Sequence, residues 1–272
     1  MNNRKQVYWN RTLFSAASLV LWCQAAGRFG LIIDQIVFPS LISKEIYPIG
    51  WGMIISSACL ITKTQVPIGQ LLRPTTRTVR GLIACWPELL TLGIELIMFG
   101  GVVIEREMLI TLAGGVLCEE TVFRVMFCSF CLRKNPSLDP KTIVFVSSVL
   151  WGSAHLLNVL AGTPLIMAVW QCISAIRIGL MLGIIFLQTR SVWPMVLVHF
   201  AHNLVNMTIN TNRLTALVAH GGFSWKTRLA MTVWLMIWGT WFWVMWTVTE
   251  AKEVEAVWGM QYNYYKEEQN DV

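Results

Sequence analysis

At 272 residues, with 55% hydrophobic and only 13% charged side chains, the chain falls well short of the roughly one-quarter charged residues of soluble domains, which excludes a water-soluble globular class. Its net charge of +6 comes from cations strung along short loops with no aromatic platform between them, so no nucleic-acid partner is expected. Seven cysteines, odd in number and all within apolar segments, exclude a disulfide framework, and Cys128 and Cys131 read as packing residues.

Apolar runs near the ~20 residues that cross a bilayer predict eight spans. In chain order they are Leu13–Phe38, Ile46–Thr62, Gly81–Ile104, Met108–Leu132, Thr142–Ala161, Thr163–Leu187, Val192–Ile209 and Leu229–Val248. The first carries Arg28 and Asp34 and is the least regular. The basic stretch 63–80, with its prolines and threonines, reads as a cytoplasmic loop against anionic headgroups, and 133–141 as a plain turn. Thirteen Lys and Arg fall on the side of the N-terminus, five on the other, and Arg28, Arg124 and Arg177 inside spans. Both termini are therefore expected in the cytoplasm, with no cleaved signal peptide. The acidic tail from Glu250 reads as a solvated end. The expected fold is all-α: one polytopic membrane domain over 1–272, of about eight transmembrane helices, enclosing a buried polar cavity. Residues 108–209 hold the groups that could do chemistry.

The fourth span contains Cys118-Glu119-Glu120-Thr121-Val122-Phe123-Arg124, two carboxylates and an arginine in an otherwise apolar run. Ionised groups at such depth are costly and mark function. Glu120 and Arg124 are four apart, acid first, and can neutralise each other on one helix face. Glu119 is rotated about 100° away with no local counter-charge, which makes it the candidate base. His155 falls in a later span at a depth that can match that of Glu119, and His199 lies roughly 10–16 Å into its own span. His199 and Asn203, four apart, line one face, which His202 partly shares, and Trp151 lies four residues before His155 as a candidate wall that excludes water. A carboxylate base, two imidazoles and an amide suit activation of water and stabilisation of an oxyanion. Gly179 and Gly183 form a small-xxx-small pattern expected to serve close helix packing.

The set EExxxR (Glu119, Glu120, Arg124), aromatic-xxx-His (Trp151, His155) and HxxxN (His199, Asn203) resembles the CPBP family of intramembrane proteases, which includes the type II CAAX prenyl endopeptidases and the bacteriocin-processing or self-immunity (Abi) proteins. The glycine-containing run from Ile178 to Pro194 adds to the likeness, which covers about 114–206. The resemblance implies that Glu119 activates water, that His155 positions it or stabilises the tetrahedral intermediate, and that His199 and Asn203 hold the oxyanion, with Glu120 and Arg124 in support. Trp151 departs from the family's more usual phenylalanine. Glu119, His155 and His199 could form a three-ligand zinc site, but there is no HExxH, and a metal-free glutamate mechanism stands equally open.

The expected function is endopeptidase cleavage of a membrane-associated or lipidated peptide or protein, with peptide substrate and membrane lipids as partners. The alternatives are a non-catalytic immunity or scaffold member of the same fold, and a Glu/His proton-coupled transporter. A bacterial plasma membrane is favoured, or the endoplasmic reticulum in a eukaryote.

Overall fold

The computed structural model describes residues 73–99, 106–134, 138–161, 163–208 and 225–258, and every regular element among them is helical. In chain order these are α1 (Thr76–Ala84), α2 (Trp86–Phe99), α3 (Arg106–Glu120), a π-helical segment (Thr121–Cys128), α4 (Ser129–Lys134), α5 (Pro140–Ala154), a 3-10 segment (His155–Ala161), α6 (Leu165–Thr189), α7 (Trp193–Thr208), α8 (Trp225–Val248) and α9 (Ala251–Trp258). The all-α expectation holds. The spans expected at 13–38 and 46–62 lie outside the described residues.

Three expected spans are interrupted. Gly81–Ile104 breaks at Cys85, where Pro87 supplies no backbone N–H and starts a new helix, α2. Met108–Leu132 begins as α3 but widens into the π segment, whose Phe123 carbonyl accepts both the Ser147 hydroxyl at 2.7 Å and the Cys128 thiol at 3.3 Å. Such widened turns recur at functional sites. Thr142–Ala161 tightens into a 3-10 segment at His155. The plain turn expected at 133–141 ends as a helix start: Asp139 caps α5 by accepting from the Thr142 N–H at 3.1 Å, and Pro140 opens the helix.

Among the described residues, two helical stretches, Pro140–Val159 and Leu165–Thr189, are long and apolar enough to cross a membrane, with Thr232–Val248 a shorter apolar helix. Leu165, Ile166, Trp170, Met236 and Trp243 are exposed, a surface suited to hydrocarbon rather than water.

Helices α5 and α6 form the most extensive pairing, through glycines. A Cβ on Gly183 would sit 2.5 Å from Val144 Cγ1, one on Gly179 would sit 3.0 Å from Ser148 Cβ and Trp151 Cε3, and one on Gly152 would clash with Ile176. The packing role expected of Gly179 and Gly183 is therefore realised, with Gly152 as its complement on α5. Around this seam, Phe123, Ile143, Val144, Ile178, Met181, Leu182 and Phe186 are buried. At the far end of α6, Arg190 adopts a left-handed conformation (φ 50°) that ends the helix, and α9 folds back so that the Trp258 indole donates to the Leu187 carbonyl at 2.9 Å.

Filling the seam should push α5 and α6 apart. Gly183→Leu is expected to lower stability by at least about 1–3 kcal/mol, the usual cost of overpacking, read as an earlier midpoint in a denaturing-detergent titration, whereas Gly239→Ala, in open space on α8, should leave the midpoint unchanged.

Candidate active site

Four elements bring the expected residues together. The end of α3 supplies Glu119 and Glu120, the π segment Arg124, α5 Trp151, and α7 His199 and Asn203. The Glu120 carboxylate and Arg124 are completely buried, with Glu120 Oε2 3.5 Å from Arg124 Nε. The i, i+4 pairing read from the sequence is thus present. A further Arg124 nitrogen, Nη2, donates to the Gly179 carbonyl on α6 at 3.4 Å, and its guanidinium lies 4.8 Å from the Trp151 ring centroid.

Glu120 also does something the sequence did not reveal: its Oε1 accepts from His199 Nδ1 at 2.9 Å. A carboxylate only accepts, so Nδ1 carries the proton, and the other ring nitrogen, Nε2, points to Asn203 Nδ2 (3.1 Å) and Glu119 Oε2 (3.8 Å). Glu120 thereby sets the rotation and tautomer of the imidazole.

Glu119 differs from its neighbour in access. Its side chain is 30% exposed against 0% for Glu120. Among the described residues no arginine pairs with it. Its Oε2 accepts from the Trp151 indole N–H at 2.8 Å. Trp151 is therefore more than a wall, because a phenylalanine at this position offers no N–H. The signal was present in the residue type, since a buried indole N–H seeks an acceptor. The Trp151 ring also meets His199 edge-on at 4.9 Å and His155 at 5.6 Å.

His155 lies at the edge of this group, at the junction of α5 and the 3-10 segment, where its Nδ1 donates to the Trp151 carbonyl at 3.2 Å. Trp151 stands between it and His199. The trio Glu119, His155 and His199 is not gathered as a ligand set: no group of three His, Cys, Asp or Glu side chains among the described residues is arranged to hold a metal ion. As placed, Glu119 Oε2 is engaged by Trp151, His199 Nε2 by Asn203 and His155 Nδ1 by a carbonyl, so these residues do not fit a zinc trio.

His202 points away from Glu119. Its Nδ1 donates to Glu88 Oε1 on α2 at 2.7 Å, and Glu88 is also held by Arg177 of α6 at 3.0 and 3.4 Å. Glu88, Arg177 and Asn206 were not singled out as candidates from the sequence.

Residues 105–205 match the family model described as type II CAAX prenyl endopeptidase Rce1-like. Over this stretch the chain is similar to the type II CAAX prenyl endopeptidases. No curated protein and no solved structure matches the chain. The matched stretch holds Glu119, Glu120, Arg124, Trp151, His155, His199 and Asn203, and proteins of the family are integral to membranes.

The buried pair sets a stability test. Glu120→Leu leaves Arg124 with its charge uncompensated and should cost about 3–5 kcal/mol, whereas the double variant Glu120→Leu/Arg124→Leu should regain most of that loss, measured by denaturing-detergent titration.

Proposed function

We propose that this protein is an intramembrane endopeptidase that cleaves a peptide bond near the end of a membrane-associated or prenylated peptide, with Glu119 as the base that activates water. The observation that carries this reading is the contrast within one pair of carboxylates. Glu120 is sealed and committed to Arg124 and His199, whereas Glu119 is accessible, without an arginine, and 3.8 Å from an imidazole nitrogen.

The charges of the cluster support a proton-handling role. Glu119, Glu120 and Arg124 bring two carboxylates and one guanidinium together, beside the His199 imidazole. A water between Glu119 and the scissile carbonyl gives its proton to the Glu119 carboxylate as its oxygen bonds to the carbonyl carbon. Oxyanion charge then develops beside His199 and Asn203, where one N–H of the Asn203 amide is held by His199 Nε2 and the other can donate to the oxyanion. Glu119 returns the proton to the departing amine as the C–N bond breaks, leaving a carboxylic acid, which then loses its own proton to water, and an amine. Trp151 holds the Glu119 oxygen Oε2 and leaves Oε1 to face water. His155, one ring away, supplies a further polar group on the substrate side.

The core of this activity is 108–209, set in a multi-pass protein of about eight spans with both termini in the cytoplasm, and a bacterial plasma membrane is the favoured setting. The proton-coupled transporter remains the second reading, because carboxylates and imidazoles clustered in apolar surroundings also suit a relay.

Purified protein in lipid, given a panel of membrane-tethered and prenylated peptides, tests both readings. Glu119→Gln should reduce cleavage by about 10²–10⁴-fold, the range that general-base catalysis contributes. A zinc chelator should leave the wild-type rate unchanged if Glu119 acts without metal, and abolish it if zinc is required. Wild-type protein that cuts nothing across the panel but moves protons into vesicles would replace the peptidase with the relay.

Trp151→Phe keeps an aromatic ring but removes the indole N–H and part of the ring. Loss of a hydrogen bond to a charged group, about 1.5–3 kcal/mol, should lower the unfolding midpoint and, where the bond orients Glu119, reduce kcat roughly 10–100-fold, whereas loss of packing alone should lower the midpoint and leave kcat of the folded protein unchanged.

A further inference from the structure

The arrangement around Glu119 has a counterpart on the other side of α7. HxxxN occurs twice on that helix, as His199/Asn203 and His202/Asn206, offset by three residues. Each histidine points Nδ1 at a fully buried carboxylate, Glu120 for His199 (2.9 Å) and Glu88 for His202 (2.7 Å). Each Nε2 meets the asparagine one turn on, at 3.1 Å and 2.8 Å respectively. Each carboxylate is paired with an arginine, and each arginine lies over a tryptophan ring: Arg124 over Trp151 at 4.8 Å and Arg177 over Trp238 at 4.3 Å. The second cluster ties together α2, α6, α7 and α8, and Trp234 of α8 adds a 2.6 Å bond to Thr91 on α2.

Helix geometry shows what the pairing does. Residues three apart point about 60° from each other and are separated by about 4.5 Å along the axis. One hydrogen bond from α7 to its surroundings would leave the helix free to swing about that bond. Two bonds at different angles and heights fix its rotation and its register. The clusters also share a second backbone: Arg177 and the carbonyl that receives Arg124, that of Gly179, lie two residues apart on α6. Glu88 lies before the stretch that matches the family, so this second clasp is built partly outside it.

We infer that His202 and Glu88 are positioning residues for the candidate active site: the Glu88–His202 bond, backed by Arg177, fixes the rotation of α7 and so aims His199 at Glu119. The inference rests on the peptidase reading for its kinetic arm only.

The test uses the full chain in lipid nanodiscs and two readouts, nitrogen and proton NMR of the His199 Nδ1–H, which needs no substrate, and kcat and KM for peptide cleavage. His202→Leu removes the donor, and His202→Asn places an amide N–H near the position of Nδ1. In His202→Leu the His199 signal should shift or broaden and kcat should fall about 10–100-fold with KM changed less than about twofold, the scale expected of a misplacement near 1 Å. His202→Asn should restore the signal and most of kcat. Should His202→Leu fail to fold, Asn206→Ala, which spares the buried pair, should move the His199 signal in the same sense by less. An unmoved His199 signal in His202→Leu, or in Asn206→Ala if that variant must be used, would overturn the inference, as would His202→Asn as inactive as His202→Leu with the signal unmoved, which would place the imidazole in the chemistry. If wild type cleaves nothing while the His199 signal responds as stated, the peptidase reading fails and the positioning role stands.

Discussion

A single sealed carboxylate holds the candidate site together. Glu120 is completely buried, and its two oxygens hold Arg124 and His199, which come from different parts of the chain. A bare carboxylate in such surroundings would be strongly unfavourable, so the protein must bring both partners to it, and bringing them fixes the π segment and α7 against α3. Arg124 extends the chain of constraint to α6 through the Gly179 carbonyl, and to α5 through the Trp151 ring. Glu119, next in sequence but turned away, inherits that setting and commits one oxygen, Oε2, to the Trp151 indole. Structural and chemical duties are divided between adjacent residues by a rotation of about 100°.

The same logic explains why apolar helices tolerate so many polar groups here. Several polar side chains near the site are met by groups from a distant helix: Ser147 by the Phe123 carbonyl, Trp151 by Glu119, Arg177 by Glu88. Hydrogen bonds of this kind specify which helix lies beside which, something that apolar packing in hydrocarbon does weakly because lipid tails compete on equal terms. The glycine seam between α5 and α6 adds close backbone approach where no polar pair is available.

Much of the site could be read from spacing alone. Glu120/Arg124 and His199/Asn203 are each four apart on one helix, and the structure realises both pairs. What spacing could not supply was pairing across the fold. The Glu120–His199 and Glu88–His202 bonds join residues 79 and 114 positions apart, and no local periodicity reports on them. Hints existed: Glu88 follows a proline inside an apolar run, Arg177 sits in mid-span, and His202 and Asn206 repeat the HxxxN pattern. The helix breaks at Cys85, the π segment and His155 were hidden for a different reason, because hydropathy measures side-chain transfer and is blind to whether a carbonyl bonds four or five residues ahead.

The close approach of Trp151 to Gly179 carries a consequence for how such a site can change. The indole that holds Glu119 fits only because α6 presents a residue without a Cβ, and the carbonyl of that same glycine receives Arg124. Any side chain at 179 would push the ring away and disturb the arginine's anchor together. Positions 148, 151 and 179 are thus one constraint written on two helices: a smaller ring at 151 would relieve one contact, and the Ser148 Cβ at 3.0 Å would still hold the place for glycine.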